Sequence, residues 1–531
     1  MLGGDRRVLG LVAAGVVAAV VGAGGGDAGA SGGRAVGATS GWGVQPAGAN
    51  ALAHSELEWT KKVAPDVYRY KYRYGPLIAA AGQNLILFGP VTIEKPSGYG
   101  YGVRFKPDLE YPNGQVPPIE QVHTHHGLIL STSRLDITYP RIPQRMSAWA
   151  EEKTIGRLPR PYGYYVKPTD QWMINYMLHN ETAQSHELYI TYTVDWIPAN
   201  SNVGRRIEHV QPIWLDAQNG SAYPVFDVRR AWGGPDGRFT YPDEARPNPY
   251  GRGPALNKWR VDHDGTLVAT VGHVHPGGLY TDLDVTRHGR TVKIFRSRAK
   301  YFDPNGPVSW DMAMTYTPDN WRVYVKKGDI LSVHATYDTT HLSEYEAMGL
   351  MVPYIAYGDR SGVDPFKHRV QTSGKVTHGH YHAADNHGGK PTGLPDPRKL
   401  KNGTETPDTA VADWTYIPGD LSGSGSLGNP PTVVQGGRLT FVNSDAGGQV
   451  FHTITACRAP CNRSTGISYP LPNGRYDFDS GELGYGPKGY SAATNKVVWS
   501  TPANLPPGTY TYFCRVHPFM RGAFRVTRRH T

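Results

Sequence analysis

The sequence predicts an all-β protein, and three observations carry that prediction. Gly (64) and Pro (43) together make up about a fifth of the 531 residues, a density of turn formers suited to short strands and many loops. Leu188-Tyr189-Ile190-Thr191-Tyr192-Thr193-Val194-Asp195-Trp196 is apolar at every second position, the period of a half-buried strand. No stretch combines a 3.6-residue apolar period with helix caps. Antiparallel structure is expected over 55–373, enough chain for two sandwich domains, and strands return in the last hundred residues.

Along the chain, residues 1–30 read as an export signal. Arg6 and Arg7 form its charged start, Val8 to Gly22 its apolar run, and the small residues around Ala28 and Ala30 its cleavage site. The protein is therefore expected to be secreted or extracytoplasmic, or anchored if the signal stays uncleaved. Asp5-Arg6-Arg7-Val8-Leu9 is only a loose twin-arginine pattern and does not choose the export route. Residues 31–54 form a Gly/Ala/Ser-rich leader. Two sandwich domains follow, at 55–205 and 206–373. In the second, Lys327-Gly328-Asp329 separates two strand-like runs as a tight turn. Residues 374–429 are a His-rich segment and linker, with Leu421-Ser422-Gly423-Ser424-Gly425-Ser426 as its flexible part. The last domain occupies 430–531, with strands such as Arg438-Leu439-Thr440-Phe441-Val442.

Composition excludes several classes. With 39% apolar and 19% charged residues the chain is no disordered polyelectrolyte. Beyond the N-terminus no run approaches the ~20 apolar residues of a membrane span, which excludes a helical membrane bundle. The net charge of +10 is spread without a Lys/Arg block, so nucleic acid is not an expected partner. No Gly-x-Ser-x-Gly or His-Glu-x-x-His motif supports a hydrolase.

Three cysteines cannot make a disulfide framework. Cys457 and Cys461 are close enough in sequence to pair, which leaves Cys514 alone. Cys514-Arg515-Val516-His517-Pro518-Phe519-Met520 gives that residue a reason. A thiolate, an imidazole and a thioether on one loop, with His452 from an earlier strand, make the ligand set of a blue copper site.

The run from Tyr512 to Gly522 resembles the copper loop of cupredoxins of the amicyanin and plastocyanin type. That resemblance implies a Greek-key sandwich with copper held by His452, Cys514, His517 and Met520. It also implies electron transfer.

Histidines are unevenly placed in the central region. His123-Thr124-His125-His126 precedes the strand Leu128-Ile129-Leu130, and His179 stands in Met177-Leu178-His179-Asn180. His273-Val274-His275 puts two imidazoles on one face of a strand, and Met348 lies in an apolar run reaching Tyr354. His334 and His341 flank the approach to Met348 and are expected in a supporting or surface position.

The order and spacing of these residues resemble the type II copper, ascorbate-dependent monooxygenases, the family of peptidylglycine α-hydroxylating monooxygenase and dopamine β-monooxygenase. The resemblance spans 60–370. It implies two jelly-roll-like sandwiches, one copper on His125, His126 and His179, and a second on His273, His275 and Met348, across a cleft. The second copper would activate O₂ to hydroxylate a C–H bond, which makes His273, His275 and Met348 the expected catalytic set. Two departures limit it. Cysteines that cross-link the animal enzymes are missing here, and Val271 stands where they carry the Arg that anchors a peptide carboxylate. A glycine-extended peptide is therefore not the expected substrate.

Thr377-His378-Gly379-His380-Tyr381-His382, followed by His387, is a separate cluster. His378, His380 and His382 could chelate Cu(II) or Zn(II), or belong to a solvated linker. Taken together, the sequence predicts an exported copper redox protein with one type 1 site and up to two further coppers. Electrons would pass between the C-terminal domain and the two-copper core, with O₂ and a redox partner or small reductant as co-reactants. The alternative is a non-enzymatic copper-binding or electron-carrier protein.

Overall fold

A computed structural model describes residues 52–529 apart from 82–85, 120, 181, 183, 218–225, 229–231, 243–256, 303–310, 341–343, 380–395, 413, 422–427, 449, 451, 459–476, 482, 486–494, 515–516 and 518–519. Among the described residues there are strands and three short 3-10 helices, and no α-helix. No helix among them is long and apolar enough to cross a membrane. The all-β expectation holds. The export signal, residues 31–51 of the leader, the Ser/Gly run 422–427 and the partner cysteine Cys461 lie outside the described residues, while His54, the last residue assigned to the leader, already opens the strand His54–Ala64.

The first sandwich is built from period-two strands. His186–Pro198 sits centrally in a seven-stranded sheet between Val67–Ala79 and Gly100–Glu110, antiparallel to both. Its alternate residues Leu188, Ile190, Tyr192, Val194 and Trp196 are buried in the core, as the alternation requires. On the opposite face Asp195 pairs with Arg69. The second layer is a four-stranded sheet in the order Ile86–Ile93, Trp172–Asn180, Val122–Leu135, Pro143–Trp149. Trp149, Trp172 and Ile174 from this layer fill the same core as Tyr72, Leu77 and Tyr192 from the other.

The second unit is organised around a sheet in which Ile330–Asp338, Gly278–Arg287 and Arg290–Tyr301 lie side by side. Smaller sheets pack against it, among them the three strands Leu215–Asp216, Gly349–Met351 and Gly272–Val274. The turn at Lys327-Gly328-Asp329 forms, with Gly328 at φ 93°, but it does not close a hairpin. Val323–Val325 pairs with Gly265–Ala269, while Ile330–Asp338 joins the large sheet. The turn carries the chain from one layer to the next.

The two units are stapled together. Arg145, on the last strand of the first unit's small sheet, donates to Asp136 (2.9 Å) and to Asp216 (2.8 Å) of the second. Thr138 donates to the carbonyl of Trp214 at 2.7 Å.

The C-terminal unit pairs a five-stranded sheet containing Gly508–Phe513 and Arg521–Thr527 with a four-stranded one. It begins earlier than expected. Asp408–Ala412 and Thr415–Ile417, placed by the sequence in the linker 374–429, are strands of that second sheet, and Tyr416 is buried in its core beside Phe441 and Tyr512. Asp408–Ala412 runs parallel to Thr440–Asn443, a pairing between distant segments that local patterning does not display. Lys375–Val376, also in that segment, instead closes the edge of the second unit.

Candidate metal centres

The C-terminal residues Cys514, His517 and Met520 follow the strand Gly508–Phe513, and His452 lies opposite, bridged to Leu483. All four side chains are fully buried. His452 Nδ1 and His517 Nδ1 are 3.2 Å apart, and each stands 3.8 Å from Cys514 Sγ. A point equidistant from these three atoms lies about 2.1 Å from each, which is a metal–ligand bond length. The donor set, one thiolate and two imidazoles, therefore suits copper, which Cys514, His452 and His517 would hold, and Met520 belongs to the same core.

Around that triangle each group is held from behind. Asp445 Oδ2 accepts from His452 Nε2 at 3.0 Å, which leaves Nδ1 as the donor to a metal. Backbone N–H groups of Thr453 and His517 each point at the Cys514 sulfur from 3.3 Å. The Met520 N–H donates to the His517 carbonyl at 2.9 Å and closes the loop. Trp414, in the segment expected to be linker, presents its indole to both imidazoles, 4.9 Å from His517 and 5.8 Å from His452. It does so at φ 64°, a conformation that costs a bulky residue on the order of 1–3 kcal/mol.

The central histidines form one nest rather than two. His125 and His126 come from the strand Val122–Leu135, His179 from its neighbour Trp172–Asn180, and His275 from the second unit. The His125 ring centroid lies 4.0 Å from that of His179 and 4.3 Å from that of His275. His126 and His275 are 4.8 Å apart. Donor atoms cluster as His123, His125 and His179, and again as His125, His126 and His275. This corrects the expectation of two separate clusters: the stapled junction brings both strands to one place. His273 stands 4.8 Å from His275, outside both groups.

A β-bulge explains how consecutive residues share the nest. Pairing with Trp172–Asn180 shifts register between Thr124 and His126, which re-aims the side chains on either side. Immediately after the bulge, a Cβ on Gly127 would come within 2.1 Å of the Trp149 indole, so only glycine lets these two strands pack as they do. Trp149 leads directly into the turn that carries Glu151.

Three participants escape the sequence reading. His123 is the register partner of His179, a cross-strand pair that spacing alone does not reveal. Glu151 and Glu152 sit on a buried turn after Pro143–Trp149, at 0% and 1% exposure. Glu151 Oε1 bonds His125 Nδ1, and its Oε2 is 3.4 Å from His275 Nδ1. Glu152 Oε1 is 3.1 Å from His273 Nδ1. Burial opposes the charge on Glu151, but His275 and His123 outweigh it and hold the carboxyl at about 2. Burial first, and neighbouring imidazoles second, keep His125 well below the ordinary imidazole value, as also for His179 and His126. His125, His126 and His179 are thus held as neutral imidazoles, the state in which histidine binds metals, whereas at His273 burial is outweighed by the carboxylates beside it, which raise its value.

Met348 is buried in a cluster with Met177, Trp214, Leu350 and Val352. Its backbone is one step on from the Val274–Gly349 pair, opposite His275. The Tyr337 hydroxyl donates to the Met348 carbonyl and accepts the His275 N–H at 3.0 Å, tying the two together. His334 faces Asp284 on the large sheet. His378 Nε2 contacts the Glu152 carbonyl at 2.6 Å, so the His-rich segment starts against the nest. His341, His380, His382 and His387 lie outside the described residues.

No family model and no curated protein matches the chain. Among solved structures it is similar to the major capsid protein P2 of bacteriophage PM2, at 10% identity and a TM-score of 0.23, over 59% of this chain and 100% of that one. A VP2 subviral particle of infectious bursal disease virus gives 10% identity and a TM-score of 0.17, over 63% and 81%. Likenesses of this size carry no argument about the chain.

Proposed function

We propose that the chain is an exported copper-dependent redox protein. Its C-terminal centre exchanges single electrons, and the histidine nest at the junction of the two sandwiches is the second metal centre, where O₂ serves to hydroxylate a C–H bond. The observation that carries this reading is the buried triangle of His452 Nδ1, His517 Nδ1 and Cys514 Sγ. Copper bound there would supply a one-electron couple, and copper in the nest a position for O₂.

The chain's own residues do the rest. Asp445, the Thr453 N–H and the packed core fix the C-terminal donors in one arrangement, so little moves when an electron arrives or leaves. Beside the nest, Glu151 accepts a hydrogen bond from His125 Nδ1–H and Glu152 one from His273 Nδ1–H, which fixes the other nitrogen of each ring as the one left to bind. A non-catalytic, copper-holding reading is favoured by one feature, the depth of the nest: His125 and His179 are 8% exposed and His275 4%.

The test is the visible spectrum of the Cu(II)-loaded full chain. It should show an intense thiolate-to-copper band that Cys514→Ser abolishes. A colourless loaded protein, or a Cys514→Ser variant that stays blue, overturns the assignment.

A further inference from the structure

We propose that the nest holds one metal ion with two overlapping seats, both of which depend on His125; this rests on reading the nest as a metal centre. The first seat is His123, His125 and His179, and the second is His125, His126 and His275. Within each set the donor atoms lie within 4.8 Å of one another. The two sets meet at a single imidazole.

That imidazole has one nitrogen to offer. His125 Nδ1 is bonded to Glu151, and an ionised carboxylate can only accept, so Nδ1 carries the hydrogen. Nε2 is left with one lone pair, which binds one ion. An ion bound through His125 with His123 and His179 therefore excludes an ion bound through His125 with His126 and His275. The ligand rings overlap too closely for an easy division of labour, since His125 lies between His179 at 4.0 Å and His275 at 4.3 Å.

The seats differ in what they require. The first is built entirely on two paired strands of one sheet, with His123 directly across from His179. The second needs His275 from the other sandwich, so it exists only while the junction held by Arg145 and Asp216 is closed. An ion moving from the first seat to the second would therefore register the packing of the two units. Each seat offers three imidazoles, so the ligand count is the same in either position.

Copper counting on the full chain tests this, with the C-terminal colour as a check that each variant is folded. His179→Ala alone and His275→Ala alone should each leave the copper content per chain unchanged, because the other seat survives. The two together should lose one ion per chain, and so should His125→Gln alone. The electron paramagnetic resonance signal of the nest should be that of an isolated Cu(II), with its ligand pattern altered by each single substitution. If each single substitution costs one ion and the pair costs two, the nest holds two independent ions and the proposal is overturned. If the pair costs none while the blue centre is intact, the nest holds no metal, and the second centre of the proposed function falls with it.

Discussion

His125 and His275 hold their imidazole rings 4.3 Å apart across the junction of two sandwiches. One ring comes from the strand Val122–Leu135 and the other follows Gly272–Val274, so their contact depends on how the units are joined. Arg145 does much of that joining. It is buried, with Asp136 and Asp216 on its guanidinium and the Trp214 ring beneath it at 4.9 Å.

Arg145→Ala should therefore cost about 3–5 kcal/mol, because it strands two buried carboxylates. Denaturant unfolding measures the loss. The same variant should keep one copper in the nest but confine it to His123, His125 and His179, read as an altered ligand pattern in its electron paramagnetic resonance signal, and leave the C-terminal colour in place. An unchanged nest signal would show that the junction does not depend on this pair.

Asp445 gives a second prediction. It accepts from His452 Nε2 and leaves Nδ1 for the metal. Asp445→Asn should lower copper affinity at the C-terminal site by roughly 10–100-fold without removing the thiolate band. Competition with a chelator reads the affinity, and an affinity equal to the parent's would mean the contact does not orient the ring.

The metal-free protein should lose stability in acid. Folded, His125, His126 and His179 resist protonation because burial penalises the cation, while the unfolded chain takes up protons near 6.5. Below that pH the unfolded state binds more protons, so stability falls by up to about 1.4 kcal/mol per pH unit for each such histidine. Glu151 adds to the trend further down, since its lowered carboxyl contributes stability above about 4.5 that is lost toward 2. Urea midpoints at pH 7 and pH 5 measure this, and equal midpoints would contradict it.

What was legible in the sequence is what is local. The alternation from Leu188 to Trp196 announces a strand because side-chain direction repeats every second residue, and those residues do line the core. Cys514, His517 and Met520 are readable together because one short loop carries them. The nest is different. Its histidines are visible singly, but their convergence depends on a bulge, a cross-strand register and a junction between distant segments. Glu151-Glu152-Lys153 looks like a solvated turn. It is buried because its partners arrive from elsewhere: Lys153 reaches Asp108 at 2.9 Å, and Glu152 reaches His273 of the second unit. Likewise Trp414 and Tyr416 sit among turn-forming residues, and only the parallel pairing of the preceding Asp408–Ala412 strand with Thr440–Asn443, with Thr415–Ile417 antiparallel beside it, makes that segment part of a sheet.

Oxygen uptake by the copper-loaded full chain, supplied with ascorbate and followed together with the blue band, tests the central claim most directly. The account predicts steady O₂ consumption, balanced, in the absence of a C–H substrate, by reduction of O₂ to peroxide or water with electrons and protons from ascorbate, and the band bleached by the reductant and restored as O₂ is admitted. The combined variant His125→Gln with His275→Ala should stop the uptake and leave the bleachable blue centre intact. Uptake that persists in that variant, or a fully loaded protein whose colour cycles with the reductant but which consumes no O₂, would contradict it.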